Sequence, residues 1–472
     1  MSKQAAGRSR HPGEPLKSTV VPPPYMTSRT VLHLGLIALL AWIVGWGGRG
    51  MVLQVVNRYY WNLPEHPYFA LPNAGLLYIV MPTVVLCMLI LFTFPGLLTM
   101  LAWGATHRWP ELFLRSFGVS LILYFFSTAV AKSTTSGPVA PTVFAGTLAC
   151  VTFLAWGILA IRVVKGRARP WMLADAEDRR RLLWTILIPV VAVMALLPAV
   201  YWQDLNDDGF EALEIGRSLS TFITPRFPTP NGFTGIAQGM LPMAYPIHWF
   251  VTLLGPVEAA ARLPMILYLP LLFCLLLALI EWQSPRRLQA SEEALILLAL
   301  AILTVTLSFS ASYDPYFADI ASPAALEVCT VCCILATLYF LQTAADRWFF
   351  FFALLSYLAR PTGLLVLGFL GVSIFLTVPD RRKAWLARIA AAGVLCLVFG
   401  YVYDHFYIPW LIGDVKFSYP FSSILGRLQY LRFDDLRRLN FILFPSGIIP
   451  LLALLLFPWP LRANIAETLL VP

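Results

Sequence analysis

The chain has 472 residues, of which 59% are hydrophobic and only 12% are charged. Soluble proteins carry about 25% charged residues, so this composition excludes an ordinary soluble domain. The net charge of +9 does not indicate a nucleic-acid partner, because Lys and Arg in a membrane protein collect in its cytoplasmic loops. No stretch alternates polar and apolar residues as a membrane barrel requires. We therefore predict an all-α, polytopic helical bundle.

Polar and apolar stretches follow one another along the chain. The first 30 residues are polar and proline-rich, and we expect them to form a disordered cytoplasmic tail. About twelve apolar runs follow, each a candidate for crossing a hydrocarbon core of roughly 30 Å. In chain order they are residues 31–48, 75–103, 116–131, 141–161, 182–202, 262–281, 293–311, 325–343, 348–359, 361–378, 385–403 and 441–458.

Basic residues predict the orientation of these runs. Between the fourth and fifth runs lie Arg162, Lys165, Arg167, Arg169, Arg179, Arg180 and Arg181. This is the strongest such signal in the chain, and it predicts a cytoplasmic loop. Alternation of the runs puts the basic clusters at 286–287, 347 and 381–383 on the same side. We predict a multi-pass plasma (inner) membrane protein whose N-terminus is cytoplasmic. Its extracytoplasmic loops are then 203–261, 312–324 and 404–440.

We divide the chain into three regions. Residues 1–30 are the disordered tail. Residues 31–181 form an N-terminal accessory region of four spans that ends in the basic loop. Residues 182–472 form the transmembrane core, which carries the extracytoplasmic loop 203–261.

That loop begins with a cluster of acids, Asp207, Asp208, Glu211 and Glu214. From Asp208 onward the apolar residues recur with helical periodicity, which predicts a short amphipathic helix on the membrane surface. One interpretation is structural, because Asp208 and Glu211 have the spacing of a capping box. A capping box explains one or two of the acids and not four.

Calcium binding is a second interpretation. The stretch Asp204-x-Asn206-x-Asp208-Gly209 matches the first half of an EF-hand loop. Ile215 stands where the closing Glu of that loop belongs, and a membrane run takes the place of the first flanking helix. A complete EF-hand is therefore not expected, but binding of a divalent cation (Mg, Mn or Ca) by these oxygens stays open.

A third interpretation comes from resemblance. The sequence "DDGFEALEIGRSLSTFITPRFPTP", followed by "YPIHWFVTLLGPVEAAARLPMIL", resembles the first extracytoplasmic loop and second core helix of the GT-C glycosyltransferases. That family includes the protein O-mannosyltransferases and the aminoarabinose transferases. The matching motifs are Asp207-Asp208, Arg217, Pro225 to Pro230, Tyr245-Pro246 with His248-Trp249, Ala261 to Pro264, and "RPTG" at Arg360 to Gly363. The likeness covers roughly residues 182–380. The stretch "AQGMLPMAYP" lacks the Lys or Glu that aminoarabinose transferases carry there.

The resemblance implies an enzyme that moves a sugar from a polyprenyl-phosphate donor to an extracytoplasmic hydroxyl of a glycan, lipid or protein, without a nucleotide cofactor. A carboxylate at the membrane surface, Asp207 or Asp208, acts as the base, and the displacement inverts the anomeric centre. Arginine fits phosphate oxygens, so contacts with the donor phosphate are expected from Arg217, Arg226 and Arg360. Further contacts with the donor or substrate are expected from Asp314, Asp319, His248 and His405. If a divalent cation is used, Asp207, Asp208 and Asp319 are its expected ligands.

Two alternatives to a glycosyltransferase belong to other functional classes. A transporter or flippase of lipid-linked saccharides places its charges near mid-membrane and has internal repeats, whereas the acids here cluster outside the apolar runs. A catalytically inactive GT-C-like scaffold is the other alternative, and the presence of both Asp207 and Asp208 argues against it.

Overall fold

The computed structural model describes residues 26–47, 74–104, 109–134, 139–166, 176–202, 242, 245–254, 264–283, 288–311, 326–343, 345–359, 362–377, 382–407 and 410. These residues contain the helices α1 (Ser28–Trp42), α2 (Ala74–Ala102), α3 (Trp109–Ser133), α4 (Pro141–Val164), α5 (Ala176–Trp202), α6 (Tyr245–Leu254), α7 (Pro264–Gln283), α8 (Ala290–Ala311), α9 (Leu326–Gln342), α10 (Asp346–Ala359), α11 (Thr362–Thr377) and α12 (Arg382–Val402). A π-helical turn follows α1 at Ile43–Gly47, and another follows α12 at Tyr403–Tyr407.

The described part of the chain is all-α, as predicted, and has no strand. Helices occupy every predicted apolar run except 441–458, which lies outside the described residues. Four described segments are long and apolar enough to cross a membrane: Ser28–Gly47, Glu111–Ser133, Pro141–Val164 and Lys383–Val402. The chain is therefore consistent with a membrane protein, and the total of about twelve spans stays a prediction.

Two of the described helices, α3 and α5, begin seven and six residues before their predicted apolar runs. α3 begins at Trp109, and Glu111 pairs with Arg115 one turn later. α5 begins at Ala176, and Glu177 lies 3.9 Å from Arg181 in the same i, i+4 relation. Such pairs stabilise the first turns of a helix although the side chains are polar. The end of the basic segment, Arg179 to Arg181, is thus helical and not loop.

One apolar core joins helices from both sides of residue 182. The buried cluster includes Trp42 of α1, Phe117 of α3, Trp249 of α6, Phe273 of α7 and Tyr403 of the second π-helical turn. Helix α3 packs against α2, α4 and α7, and α5 packs against α8. The N-terminal helices therefore form part of the wall around α6. The functional division into accessory region and core stays a prediction.

Candidate functional site

Most of the predicted site residues lie outside the described residues. They are Asp207, Asp208, Arg217, Arg226, Asp314, Asp319 and Arg360. Their assignments as base, phosphate contacts and metal ligands stay predictions. Two predicted residues fall in described elements, His248 in α6 and His405 in the π-helical turn that follows α12.

Helix α6 is a short helix that lies inside the bundle. It begins with Tyr245-Pro246, and proline suits a first turn because the first amides have no intrahelical acceptor. Every residue from Tyr245 to Val251 is buried. Its 10 residues span about 15 Å, which is half of a hydrocarbon core of roughly 30 Å. We therefore treat α6 as an inserted core helix and not as a membrane span.

His248 is fully buried in this helix. Its imidazole packs edge-on against Phe144, with 5.3 Å between the ring centroids. Phe144 lies in the first turn of α4, so His248 belongs to the contact between α6 and the N-terminal helices. The contact with substrate that the resemblance implies for His248 stays a prediction.

Trp249 is the centre of an aromatic cluster. Its indole stacks on Trp46 at 6.1 Å and meets Trp42 edge-on at 5.9 Å. Phe144 and Tyr124 lie 5.5 and 6.2 Å from the same ring. The buried Nε1–H of Trp249 has no acceptor among the described residues. The cluster fixes α6 against the end of α1, the start of α4 and the second half of α3.

A tyrosine pair joins α6 to the turn that contains His405. The hydroxyls of Tyr245 and Tyr407 are 3.0 Å apart, so one donates a hydrogen bond to the other. Burial raises the pKa of Tyr245 well above its usual value of 10.0, and burial likewise raises the pKa of Tyr407 to about 12. Both hydroxyls are therefore neutral at physiological pH. Phe125 of α3 stacks on Tyr407 at 4.7 Å.

We call this part of the bundle the aromatic end and define it by Trp42, Trp46, Tyr245, Trp249 and Tyr407. Both described π-helical turns lie here, since Trp46 belongs to the first and Tyr407 to the second. π-helical turns are rare and occur often at functional sites. The structure thus brings the segments that carry His248 and His405 together at the aromatic end.

The opposite end of α5 and α8 is held by a buried ion pair. Arg181 Nη1 lies 2.8 Å from Glu293 Oε1, and the two side chains are only 3% and 4% exposed. Glu177 Oε1 accepts a hydrogen bond of 2.7 Å from the backbone N–H of Ala290. These residues lie in the first turns of their helices, so α5 and α8 begin side by side and run parallel.

Two further arginines, Arg115 and Arg388, also lie near the starts of their helices and contact neighbouring helix ends there. The guanidinium of Arg115, near the start of α3, lies 5.7 Å from the ring of Phe340 and 5.5 Å from that of Trp348. Phe340 is near the end of α9 and Trp348 near the start of α10. Arg388, near the start of α12, pairs with Asp346 at 3.3 Å. We call these ends, together with the starts of α5 and α8, the basic end.

Helix α7 connects the two ends. It stops at Gln283, close in sequence to the start of α8, so its own start lies away from the basic end. Near that start, the Tyr268 hydroxyl donates to the carbonyl of Pro242, just before α6. Cys332 of α9 donates to the Tyr268 carbonyl at 3.5 Å, so α7 and α9 begin together. Hence the five described helices that flank the predicted loops 203–261, 312–324 and 404–440, namely α5, α7, α8, α9 and α12, have their loop-side ends at the aromatic end.

The aromatic end and the basic end differ in their number of Lys and Arg residues. Among the described residues, Lys132 in the last turn of α3 is the one Lys or Arg at the aromatic end, and the others lie at or near the basic end. The Lys132 side chain is buried, at 8% exposure. Lys132 is not among the residues predicted for the site. The signal that could have found it is a lysine closing an apolar run, in "STAVAKSTTSG", on the predicted extracytoplasmic side.

No group of three or more His, Cys, Asp or Glu side chains in the described residues is arranged to hold a metal ion. The ligands expected for a divalent cation, Asp207, Asp208 and Asp319, are outside those residues. Their use of a cation stays a prediction.

Comparison with protein-family models, curated proteins and solved structures finds no match for this chain. Its function must therefore be argued from its own residues and from the two chemically different ends of its helical bundle.

Proposed function

We propose that this protein is a membrane glycosyltransferase that moves a sugar from a polyprenyl-phosphate donor to an extracytoplasmic hydroxyl acceptor. The observation that carries the proposal is that the described helices flanking the three acid-bearing loops have their loop-side ends at one end of the bundle. These helix ends lie with α6, whose sequence "YPIHWF" belongs to the GT-C-like stretch. An enzyme that moves a sugar from a lipid-anchored donor to an extracytoplasmic acceptor needs its general base and its phosphate-binding residues at the same membrane boundary.

The aromatic end is the extracytoplasmic end in this proposal. The charge asymmetry of the described helices supports the orientation, because Lys and Arg concentrate on the cytoplasmic side of membrane proteins. Aromatic residues such as Trp46 and Trp410 are also typical of membrane boundaries. The membrane in this proposal is the plasma (inner) membrane.

Asp207 is the general base that takes the proton of the acceptor hydroxyl. Asp208 shares the acidic pair but has a competing role as a helix cap, with Glu211 three residues on. Arg217 and Arg226 hold the phosphate of the donor, since the planar guanidinium donates two parallel hydrogen bonds to phosphate oxygens. Single displacement inverts the anomeric centre of the transferred sugar.

The test is sugar transfer from polyprenyl-phosphate donors by the purified protein in liposomes. Asp207→Asn should lower the transfer rate by about 10²- to 10⁴-fold with unchanged expression and thermal stability, because a general base contributes that much. Asp208→Asn should lower it less and leave stability nearly unchanged, because Asn caps a helix about as well as Asp, whereas Asp208→Ala should cost about 1 kcal/mol as a lost cap. Asp346→Asn is the matched control, since Asp346 pairs with Arg388 at the basic end.

Two results would contradict the proposal. Wild-type rates in both the Asp207→Asn and Asp208→Asn variants would leave the capping box as the explanation of these acids. Movement of the intact lipid-linked saccharide across the bilayer, with no transfer of its sugar to any acceptor, would identify a flippase instead.

A further inference from the structure

Three exposed cations lie where the start of α1 meets the end of α4. They are Arg29 in the first turn of α1, Arg162 in the last turn of α4, and Lys165, which is the C-cap of α4. Met26, just before α1, is buried in a core cluster against which Val163 of α4 packs. The three cations therefore share one corner of the basic end.

This corner holds more positive charge than its helices favour. The ion pairs within the described residues are formed by three other cations, Arg115, Arg181 and Arg388. The dipole of α4 favours Arg162 and Lys165 at its C-terminal end. Arg29, however, stands in the first turn of α1, where the positive end of the helix dipole disfavours a cation. An anion bound at this corner would be stabilised by all three side chains and by the start of α1.

The exposed faces of α1 and α4 are apolar next to these cations. The exposed apolar side chains are Leu32, Leu36 and Leu40 on α1 and Leu154, Ile158 and Ile161 on α4. On each helix they recur every three or four residues, so they form one stripe that ends at the cations. We call these two rows of side chains the apolar stripes.

The length of the apolar stripes fits one leaflet of a bilayer. Residues 29–40 and 154–165 each extend about 16 Å along the helix axis. Half of a hydrocarbon core of roughly 30 Å is about the same length. Both helices belong to segments that are long and apolar enough to cross a membrane. Cations at one end of an apolar surface of this length complement a lipid that has an anionic headgroup.

We propose that Arg29, Arg162 and Lys165 bind the phosphate of an anionic phospholipid whose acyl chains lie along the apolar stripes. Arginine and lysine donate charge-assisted hydrogen bonds to phosphate oxygens. Basic sites between membrane helices are typical of anionic headgroup binding. The site lies at the basic end, away from the acid-bearing loops, so it goes beyond the proposed sugar transfer and gives the N-terminal helices a lipid-binding role. The competing explanation is that these cations serve only to orient the chain in the membrane.

The experiment measures lipid binding to the full-length protein in detergent by native mass spectrometry, which counts bound lipids. Dioleoyl phosphatidylglycerol is the anionic probe, and dioleoyl phosphatidylcholine has the same chains without net charge. Arg29→Gln, Arg162→Gln and Lys165→Gln should each weaken phosphatidylglycerol binding by about 5-fold, because a basic residue near an anionic lipid surface contributes that much. The triple variant should lose about 100-fold if the three contributions add. Binding of phosphatidylcholine should stay unchanged.

The matched control removes the same charge elsewhere at the basic end. Arg179→Gln/Arg180→Gln/Arg347→Gln neutralises three exposed cations on α5 and α10. It should weaken phosphatidylglycerol binding by less than about 5-fold, because salt screens exposed charges that do not touch the lipid. Equal losses in the two triple variants would overturn the proposal and identify a general attraction between a basic surface and anionic lipids. Wild-type binding in the Arg29→Gln/Arg162→Gln/Lys165→Gln variant would overturn it in favour of the orienting role.

Glycerol phosphate tests whether the acyl chains take part. It carries the phosphate ester of the headgroup without the chains, so at equal concentration it should not displace phosphatidylglycerol. Displacement by glycerol phosphate would overturn the proposal by identifying a site for a free phosphate ester. The outcome of the sugar-transfer assay does not bear on this site, because its test measures lipid binding alone.

Discussion

Individual charged side chains in this bundle differ widely in burial. Arg181 and Glu293 are almost inaccessible, whereas the side chains of Arg388 and Asp346 are 34% and 49% exposed. An exposed pair contributes little because water and salt screen it. A buried pair contributes little net stability over apolar residues, but removal of one partner leaves the other charge without compensation. The two pairs therefore predict different responses to the same kind of substitution.

Glu293→Gln should destabilise the protein by about 3 kcal/mol, because the buried Arg181 charge loses the carboxylate at 2.8 Å, while Glu177 lies farther away at 3.9 Å. Asp346→Asn, which breaks the exposed pair, should cost about 0–1 kcal/mol. Unfolding of the two variants in the same detergent measures both effects. The double variant Arg181→Met/Glu293→Leu should recover most of the loss. Equal losses in the two single variants would contradict the burial of the Arg181–Glu293 pair.

At the scale of elements, α2 and α3 compensate a proline inside a helix. Pro95 has no N–H, so the carbonyl of Leu91 loses its partner within α2. The Tyr124 hydroxyl of α3 donates to that carbonyl at 3.5 Å. The Gly96 N–H donates to Ser120 Oγ at 3.0 Å, and the Ser120 hydroxyl donates to the Thr93 carbonyl at 3.3 Å. In an apolar environment such groups must be satisfied by the protein, which explains why α3 lies so close here.

Glycine is required at position 96 by the same contact, because a Cβ there would overlap the Ser116 carbonyl. The close approach of α2 and α3 thus depends on the pair Pro95-Gly96. It holds Tyr124 in place, and Tyr124 in turn contacts Trp249 at the aromatic end.

Ser120→Ala should destabilise the protein by about 1–3 kcal/mol, because it leaves buried backbone groups of α2 unsatisfied. Ser133→Ala is the control. Ser133 is exposed and donates to the Ala129 carbonyl one turn before it, so its loss should change stability by less than about 0.5 kcal/mol. In a Pro95→Ala background the cost of Ser120→Ala should shrink, since a helix without the proline lets the Gly96 N–H bond the carbonyl four residues before it in place of Ser120. An undiminished cost would show that Ser120 acts independently of the proline.

The whole molecule is organised by the pairing of helix ends. Helices α3 and α4 show it in the simplest form, because they are antiparallel neighbours, α3 ending at Ser133 and α4 at Val164 with Lys165 as its C-cap. Trp156 of α4 donates to the Val31 carbonyl at 2.8 Å, so α4 finishes where α1 starts. Phe144, at the start of α4, contacts Tyr124 in the second half of α3. The hydrogen bond places the end of α4 and the start of α1 at the basic end, and the ring contact places the start of α4 at the aromatic end.

Membrane orientation is testable with a single pair of exposed positions. In a Cys150→Ser background, which removes the one exposed native cysteine, Ser133→Cys should react with an impermeant thiol reagent added outside the cell. Lys165→Cys should react only after the membrane is opened, because the basic end is proposed to be cytoplasmic. The reverse pattern would invert the molecule and place the acidic loops inside. Reaction of both positions from outside would contradict the opposite ends of α3 and α4.

The fold class and the helical segments could be read from the sequence, because hydrophobic runs report directly on which residues avoid water. The run predicted at 141–161 is α4, Pro141–Val164, and the polar extensions of α3 and α5 were missed because their first turns depend on Glu–Arg pairs and not on apolar residues. The charge asymmetry between the helix ends could be predicted from the sequence as well. Of the candidate site, the sequence singled out His248 and His405 through motifs and position, but it could not tell that α6 and the turn at Tyr403–Tyr407 are neighbours.

The sequence alone determined that this chain is basic and strongly apolar, and it predicted the all-α character of the described residues and the charges at their helix ends, since composition and periodicity are local properties. Tertiary structure alone decided which ends meet. The Tyr245–Tyr407 hydrogen bond, the Arg181–Glu293 pair and the burial of Lys132 join or enclose residues far apart along the chain. Such contacts follow from the packing of whole helices, because the shape of two facing surfaces, and not their separate hydrophobicity, selects the partner.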